Sequence, residues 1–154
     1  ESENCFMGFG LFFALWIVIV AKFSDIGALL IGKAIGRTKM APSISPGKTI
    51  EGLIGGFAAS AGMGALLPWI FQEKLTGIVY FGDWIFTPSQ GALWGLLLAL
   101  SAVIGDLIAS VLKRLASMKD SGGTIPGIGG LFDLTDSLIL AAPTGYFILF
   151  FLQK

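Results

Sequence analysis

Four stretches of this chain, Cys5–Ala21, Ile50–Phe71, Gly91–Leu112 and Leu138–Leu152, approach the roughly 20 predominantly apolar residues that a helix needs to cross a bilayer. They are continuously apolar rather than alternating. That favours helices, which satisfy every backbone polar group within their own segment when no water is at hand. A fifth stretch, Ser24–Gly36, follows the first after Lys22, and reads as either the second half of a broken helix or a short embedded helix of its own. The expected fold class is therefore an all-α polytopic bundle with about four to five membrane helices. A composition of 55% hydrophobic and 13% charged residues excludes a soluble domain of this size.

The chain has no histidine and one cysteine, Cys5, which removes imidazole bases, His or Cys zinc sites and intrachain disulfides. Chemistry must come from carboxylates, Lys/Arg, hydroxyls, backbone amides and a hard metal. The chain begins with Glu, and no basic segment precedes the first apolar run, so it reads as a fragment of a longer membrane protein with no signal peptide in view. Arg37, Lys39 and Lys48 fall in one connection and Lys113, Arg114 and Lys119 in another, whereas Gln72–Gln90 between them holds Lys74 against Glu73 and Asp83. The positive-inside rule places both basic segments on the cytoplasmic side and Gln72–Gln90 outside. There Tyr80, Phe81, Trp84 and Phe86, flanked by Trp69 and Trp94, form an interfacial aromatic belt. Glycines spaced by four, Gly52/Gly56 and Gly91/Gly95, are expected to serve close helix packing, and Gly32/Gly36 leave a bare strip beside Asp25.

Asp25 lies just past an apolar run and Asp106 well inside the third span. A carboxylate at membrane depth costs on the order of 2.5 to 3.5 kcal/mol, so each needs a partner, a cavity or a metal. On a helix Asp106 shares a face with Ser110, Lys113 and, less closely, Arg114, which leaves an intrahelical ion pair as the plain alternative to a functional role. The segment Lys113–Asp136 holds five glycines between Gly122 and Gly130, interrupted by Pro126, and lacks the Walker spacing. Asp133 and Asp136 follow it at a spacing of three. Hard carboxylates beside a basic, glycine-rich loop suit a magnesium–nucleotide site, the alternative being an interfacial turn with capping acids.

These residues resemble the phosphatidate cytidylyltransferases, also called CDP-diacylglycerol synthases. The resemblance rests on Ser110-Val-Leu-Lys-Arg, Lys119-Asp120-Ser-Gly122, Pro126-Gly-Ile-Gly129-Gly130 and Asp133-Leu-Thr-Asp136-Ser. Upstream it rests on Ser24-Asp25-Ile-Gly-Ala and Ser45-Pro-Gly-Lys48-Thr49-Ile-Glu51-Gly52, and it covers Ser24–Pro143. It implies one membrane-embedded catalytic domain over 1–154, the C-terminal part of a longer chain. It further implies CMP transfer from CTP to phosphatidate, giving CDP-diacylglycerol and pyrophosphate. Under it Asp106, Lys113, Arg114, Lys119, Asp120 and Asp133 carry the chemistry, and Asp106, Asp133 and Asp136 hold Mg2+. Ser24, Asp25, Lys33, Ser45, Lys48, Thr49, Glu51, Ser110, Gly122, Gly129 and Gly130 meet substrate. Ile128 and Leu134 replace the His and Arg usual in the signature, which reads as a divergent but active branch. Expected partners are CTP, phosphatidate and the lipid bilayer, with no nucleic acid; a homodimer and a monovalent cation beside the magnesium stay open. The expected location is the bacterial inner membrane with a cytoplasmic active site. Two other readings are a transporter or ion-pathway fragment, for which no inverted repeat is visible, and a CTP-dependent polyprenol kinase, which needs a base for its hydroxyl acceptor.

Overall fold

The computed structural model describes residues 2–42, 45–74, 80–81, 84–115 and 137–152. Helix α1 (Ser2–Ile35) leads through the hairpin β1 (Lys39–Ala41) and β2 (Ser45–Thr49) into α2 (Ile50–Lys74). A smaller hairpin, β3 (Tyr80–Phe81) and β4 (Trp84–Ile85), precedes α3 (Pro88–Leu115), and α4 (Leu138–Leu152) completes the described residues. Both hairpins are antiparallel. The bundle is all-α in class, as expected, with two short hairpins that the sequence pattern did not announce. Among the described residues, three helices are long and apolar enough to cross a membrane, over Gly10–Ile35, Ile50–Phe71 and Pro88–Leu115. The 15 residues of α4 extend about 22 Å, short of a hydrocarbon core of about 30 Å. The chain is an integral membrane protein.

The break allowed for between Ala21 and Ser24 is absent: α1 runs unbroken for 34 residues, about 51 Å. Charged side chains interrupt an apolar pattern without breaking a helix, and here Lys22 and Asp25 meet one turn apart.

Glycine sets how closely the helices approach. A Cβ on Gly52 would lie 2.7 Å from the Ala28 carbonyl oxygen, one on Gly56 2.9 Å from that of Ser24, and one on Gly95 2.7 Å from that of Ser60. Close packing thus accounts for the Gly52/Gly56 and Gly91/Gly95 pairs. The strip at Gly32 and Gly36 is filled by Thr49, whose Oγ1 would sit 3.0 Å from a Cβ on Gly32 and 2.7 Å from one on Gly36. That same hydroxyl accepts the Gly52 amide at 3.1 Å, capping α2. At the other end, Thr87-Pro-Ser-Gln90 forms a capping box for α3, with the Thr87 amide donating to Gln90 Oε1 at 3.0 Å and the Gln90 amide to Thr87 Oγ1 at 3.4 Å.

The core gathers Phe12, Phe13 and Trp16 of α1 around Phe86, which meets Trp16 edge-on at 5.1 Å and Phe13 at 5.8 Å. Pro68 has no amide to give the carbonyl four residues back, that of Gly64. Trp16 Nε1 donates to that oxygen at 3.1 Å, so the proline's defect is repaired from the neighbouring helix. Trp16→Phe is expected to lower the thermal midpoint by the equivalent of about 1 to 3 kcal/mol, the cost of a stranded buried acceptor. In a Pro68→Ala background the cost should shrink, because an amide at position 68 then serves Gly64; an equal loss in both backgrounds would count against this pairing.

Candidate active site

Packing fixes the depth of each charge. Ser60, near the middle of the apolar stretch Ile50–Phe71, donates its hydroxyl to the Val20 carbonyl at 3.3 Å, so Val20 marks the mid-level of α2. Lys22 then lies about 3 Å and Asp25 about 7.5 Å toward the end of the bundle that carries the β1–β2 hairpin, at 1.5 Å per helical residue. Gly95 of α3 packs at the level of Ser60, which places Asp106 about 16 Å on, beside the start of α2. The sequence alone suggests the reverse order, with Asp106 deep and Asp25 near an edge. The unbroken α1 is what carries Asp25 inward.

Between these levels lies a cavity of about 430 Å3, within the range of small-molecule sites. Ser24, Asp25, Ala28 and Leu29 of α1, Gly52 and Leu53 of α2, and Val103 and Asp106 of α3 line it, together with Met40, Ser45, Gly47, Lys48 and Thr49 of the hairpin. The hairpin is held over the helix ends by Glu51. Its carboxylate accepts the Thr38 amide at 3.1 Å, the Thr38 hydroxyl at 2.9 Å and the Arg37 amide at 3.2 Å, while the Ile50 amide donates to the Thr38 carbonyl at 3.0 Å. With Thr49 buried beneath, the β2 backbone has little freedom, and Lys48 reaches from it to an ion pair with Asp106.

The Asp106 carboxylate thus takes a cation from the hairpin. The Ser110 hydroxyl donates to the Asp106 backbone carbonyl at 2.7 Å, a bond within α3. The Lys48 ammonium nitrogen is buried and, beyond the ion pair, meets no hydrogen-bond acceptor among the described residues. The Ser24 hydroxyl, 1% exposed, likewise lacks one. Such unmet donors facing a cavity are what an anionic ligand satisfies.

The fold thus brings Ser24, Asp25, Ser45, Lys48, Thr49 and Asp106 to one cavity. Lys113 and Arg114 occupy the last turn of α3, about 10 to 12 Å beyond Asp106 along the helix. Glu51 braces the hairpin, and Lys33 lies exposed in the last turn of α1; neither lines the cavity. Lys119, Asp120, Gly122, Gly129, Gly130, Asp133 and Asp136, with Ile128 and Leu134, lie outside the described residues. Sequence reasoning passed over Lys22 and Ser137: Lys22 Nζ donates to the buried Ser137 Oγ at 2.9 Å and lies 3.6 Å from Asp25 Oδ2. The signal was available, since a lysine inside an apolar run three residues before an aspartate is a membrane ion pair by spacing.

With this geometry in hand, comparison decides the family. The model of the cytidylyltransferase family matches residues 4–152. The chain belongs to the cytidylyltransferase family. A phosphatidate cytidylyltransferase from Synechocystis is 42% identical over 124 residues, 80% of this chain and 38% of the relative. One from Bacillus subtilis is 33% identical over 141 residues, 92% of this chain and 48% of the relative. The Escherichia coli protein YnbB, whose name assigns no activity, is 37% identical over 140 residues, 91% of this chain and 43% of the relative. The chain therefore spans less than half the length of these three relatives.

Proposed function

We propose that this protein transfers CMP from CTP to phosphatidate at the cytoplasmic face of a bacterial inner membrane, giving CDP-diacylglycerol and pyrophosphate. The observation that carries this is the convergence of Asp25, Lys48 and Asp106 from three elements on one cavity, in a member of the cytidylyltransferase family. A cavity running from the cytoplasmic end of the helices to about a quarter of the way into the bilayer lets a soluble nucleotide meet a lipid headgroup.

The reaction joins a phosphate oxygen of phosphatidate to the α-phosphorus of CTP and breaks the bond to the β-phosphate. That oxygen belongs to a phosphate monoester with a second pKa near roughly 6, so it is largely ionised and needs no base, in keeping with a site that lacks histidine. The barrier is repulsion between two polyanions. Lys48, with donors unspent beyond Asp106, binds phosphate oxygens, and the Ser24 hydroxyl at the cavity floor donates a further bond. Lys113 and Arg114, in the last turn of α3 beyond Asp106, add positive charge on the same helix.

Asp106 fits a divalent ion: it is a hard oxygen donor at a cavity wall beside a cation that can move to phosphate, and magnesium needs only one or two carboxylates with water and phosphate completing its shell. Asp106 would hold the ion, together with Asp133 and Asp136 from the following segment, and the ion would supply charge neutralisation on the triphosphate.

The test is incubation of the full-length protein with phosphatidate, magnesium and CTP labelled at either the α- or the γ-phosphorus. The lipid product is expected to carry α label alone. Label arriving from the γ-position would indicate phosphoryl transfer of the kinase type, and an unlabelled lipid at every magnesium level would overturn the proposal.

A further inference from the structure

We propose that Lys22 is a positioning residue of this site, fixing the Asp25 carboxylate at the cavity floor and, through Ser137, the point where the chain enters α4. The inference rests on the nucleotide reading of the cavity and adds a residue that lies outside its lining.

Three contacts link these groups. Lys22 Nζ donates to Ser137 Oγ at 2.9 Å and lies 3.6 Å from Asp25 Oδ2, and the Ser137 hydroxyl hydrogen-bonds the Asp25 carboxylate. Asp25 faces the cavity and Ser137 is 1% exposed. A lysine that only anchored the helix would turn to the nearest membrane surface. Lys22 sits about 3 Å from mid-level, and its ammonium is turned to two groups inside the bundle. It is thus the counter-charge that holds the Asp25 carboxylate in one orientation at the cavity floor.

Ser137 adds a second consequence. It is the residue next after 116–136, the segment that carries Lys119, Asp120, Asp133 and Asp136, and the other end of that segment joins Leu115 of α3. Lys22 therefore ties α1 to the return of this segment at the same place where it holds Asp25. With methionine in place of Lys22, Asp25 loses this counter-charge and Ser137 this donor together.

Full-length parent, Lys22→Met, Lys22→Arg, Asp25→Asn and the Lys22→Met/Asp25→Asn double variant are compared by kcat/KM for CTP and by thermal midpoint without substrate. Lys22→Met should lower kcat/KM about tenfold or more, as a misplaced group does, and Lys22→Arg should recover to within about threefold of the parent. In the Asp25→Asn background, Lys22→Met should cost less than about twofold, since residues acting through one another are not additive. Activity of Lys22→Met within twofold of the parent, or losses that multiply in the double variant, would overturn the inference. Should Lys22→Met fail to accumulate, Lys22→Arg and Ser137→Ala carry the same comparison, with Ser137→Ala predicted to be non-additive with Asp25→Asn. If the parent itself turns over no CTP with phosphatidate, the functional proposal falls. The role of Lys22 is then decided by the midpoints, where non-additive shifts support it and additive shifts overturn it.

Discussion

Asp106→Asn will lower CMP transfer by about a hundredfold or more, the scale seen when a group facing developing charge is removed from a preorganised site. The substitution keeps the size of the side chain and removes its charge, so it takes away the hard donor proposed for the metal. It also strands Lys48, whose ammonium nitrogen is buried and whose ion-pair partner is Asp106. Some loss of stability should follow, smaller than for a fully buried pair because the two side chains keep 23% and 30% of their exposure. The Lys48→Met/Asp106→Asn double variant separates the effects. Its thermal midpoint should return toward the parent while its activity stays low. Activity recovering along with stability would mean that the pair only holds the hairpin down.

The next largest effect is expected on CTP binding. Lys48→Met should raise KM for CTP about tenfold to a hundredfold, since a charge-assisted phosphate contact is worth roughly 1.5 to 3 kcal/mol. Lys119→Ala, in the segment that follows α3, should lower turnover and CTP affinity as well if the chain meets its nucleotide without the His and Arg that Ile128 and Leu134 replace. Lys74→Ala, at the far end of α2, should do neither. Initial-rate kinetics of the three variants check this, and unchanged KM in Lys48→Met would remove Lys48 from the nucleotide's surroundings.

What the sequence made legible was governed by local physics. The apolar runs located α2 and α4 from their first residues, and α3 began three residues before the expected Gly91 because Thr87-Pro-Ser-Gln90 caps it there. The first helix was misjudged: the Lys22 and Asp25 charges looked like the end of a span, but they pair across one turn, with Ser137 just before α4, while the helix runs on. The hairpin over the cavity was not foreseen, since its strands are short and are held by Glu51 and Thr49 at the start of α2 rather than by an alternating pattern. The residue types of the candidate site were readable, as Ser24, Asp25, Ser45, Lys48, Thr49 and Asp106 show. Their arrangement was not. Lys48 and Asp106 meet across more than fifty residues of chain, and no spacing rule reports such a contact.

The central claim is that the cavity beneath the β1–β2 hairpin receives the nucleotide. A photoreactive CTP analogue, bound to the full-length protein with magnesium and irradiated, tests this when the labelled peptides are mapped and unmodified CTP is used as competitor. Attachment should fall in 24–29, 45–53 and 103–106, the segments that line the cavity, and should disappear with excess CTP. Competable labelling confined to 84–90, just before and at the start of α3, would contradict the account.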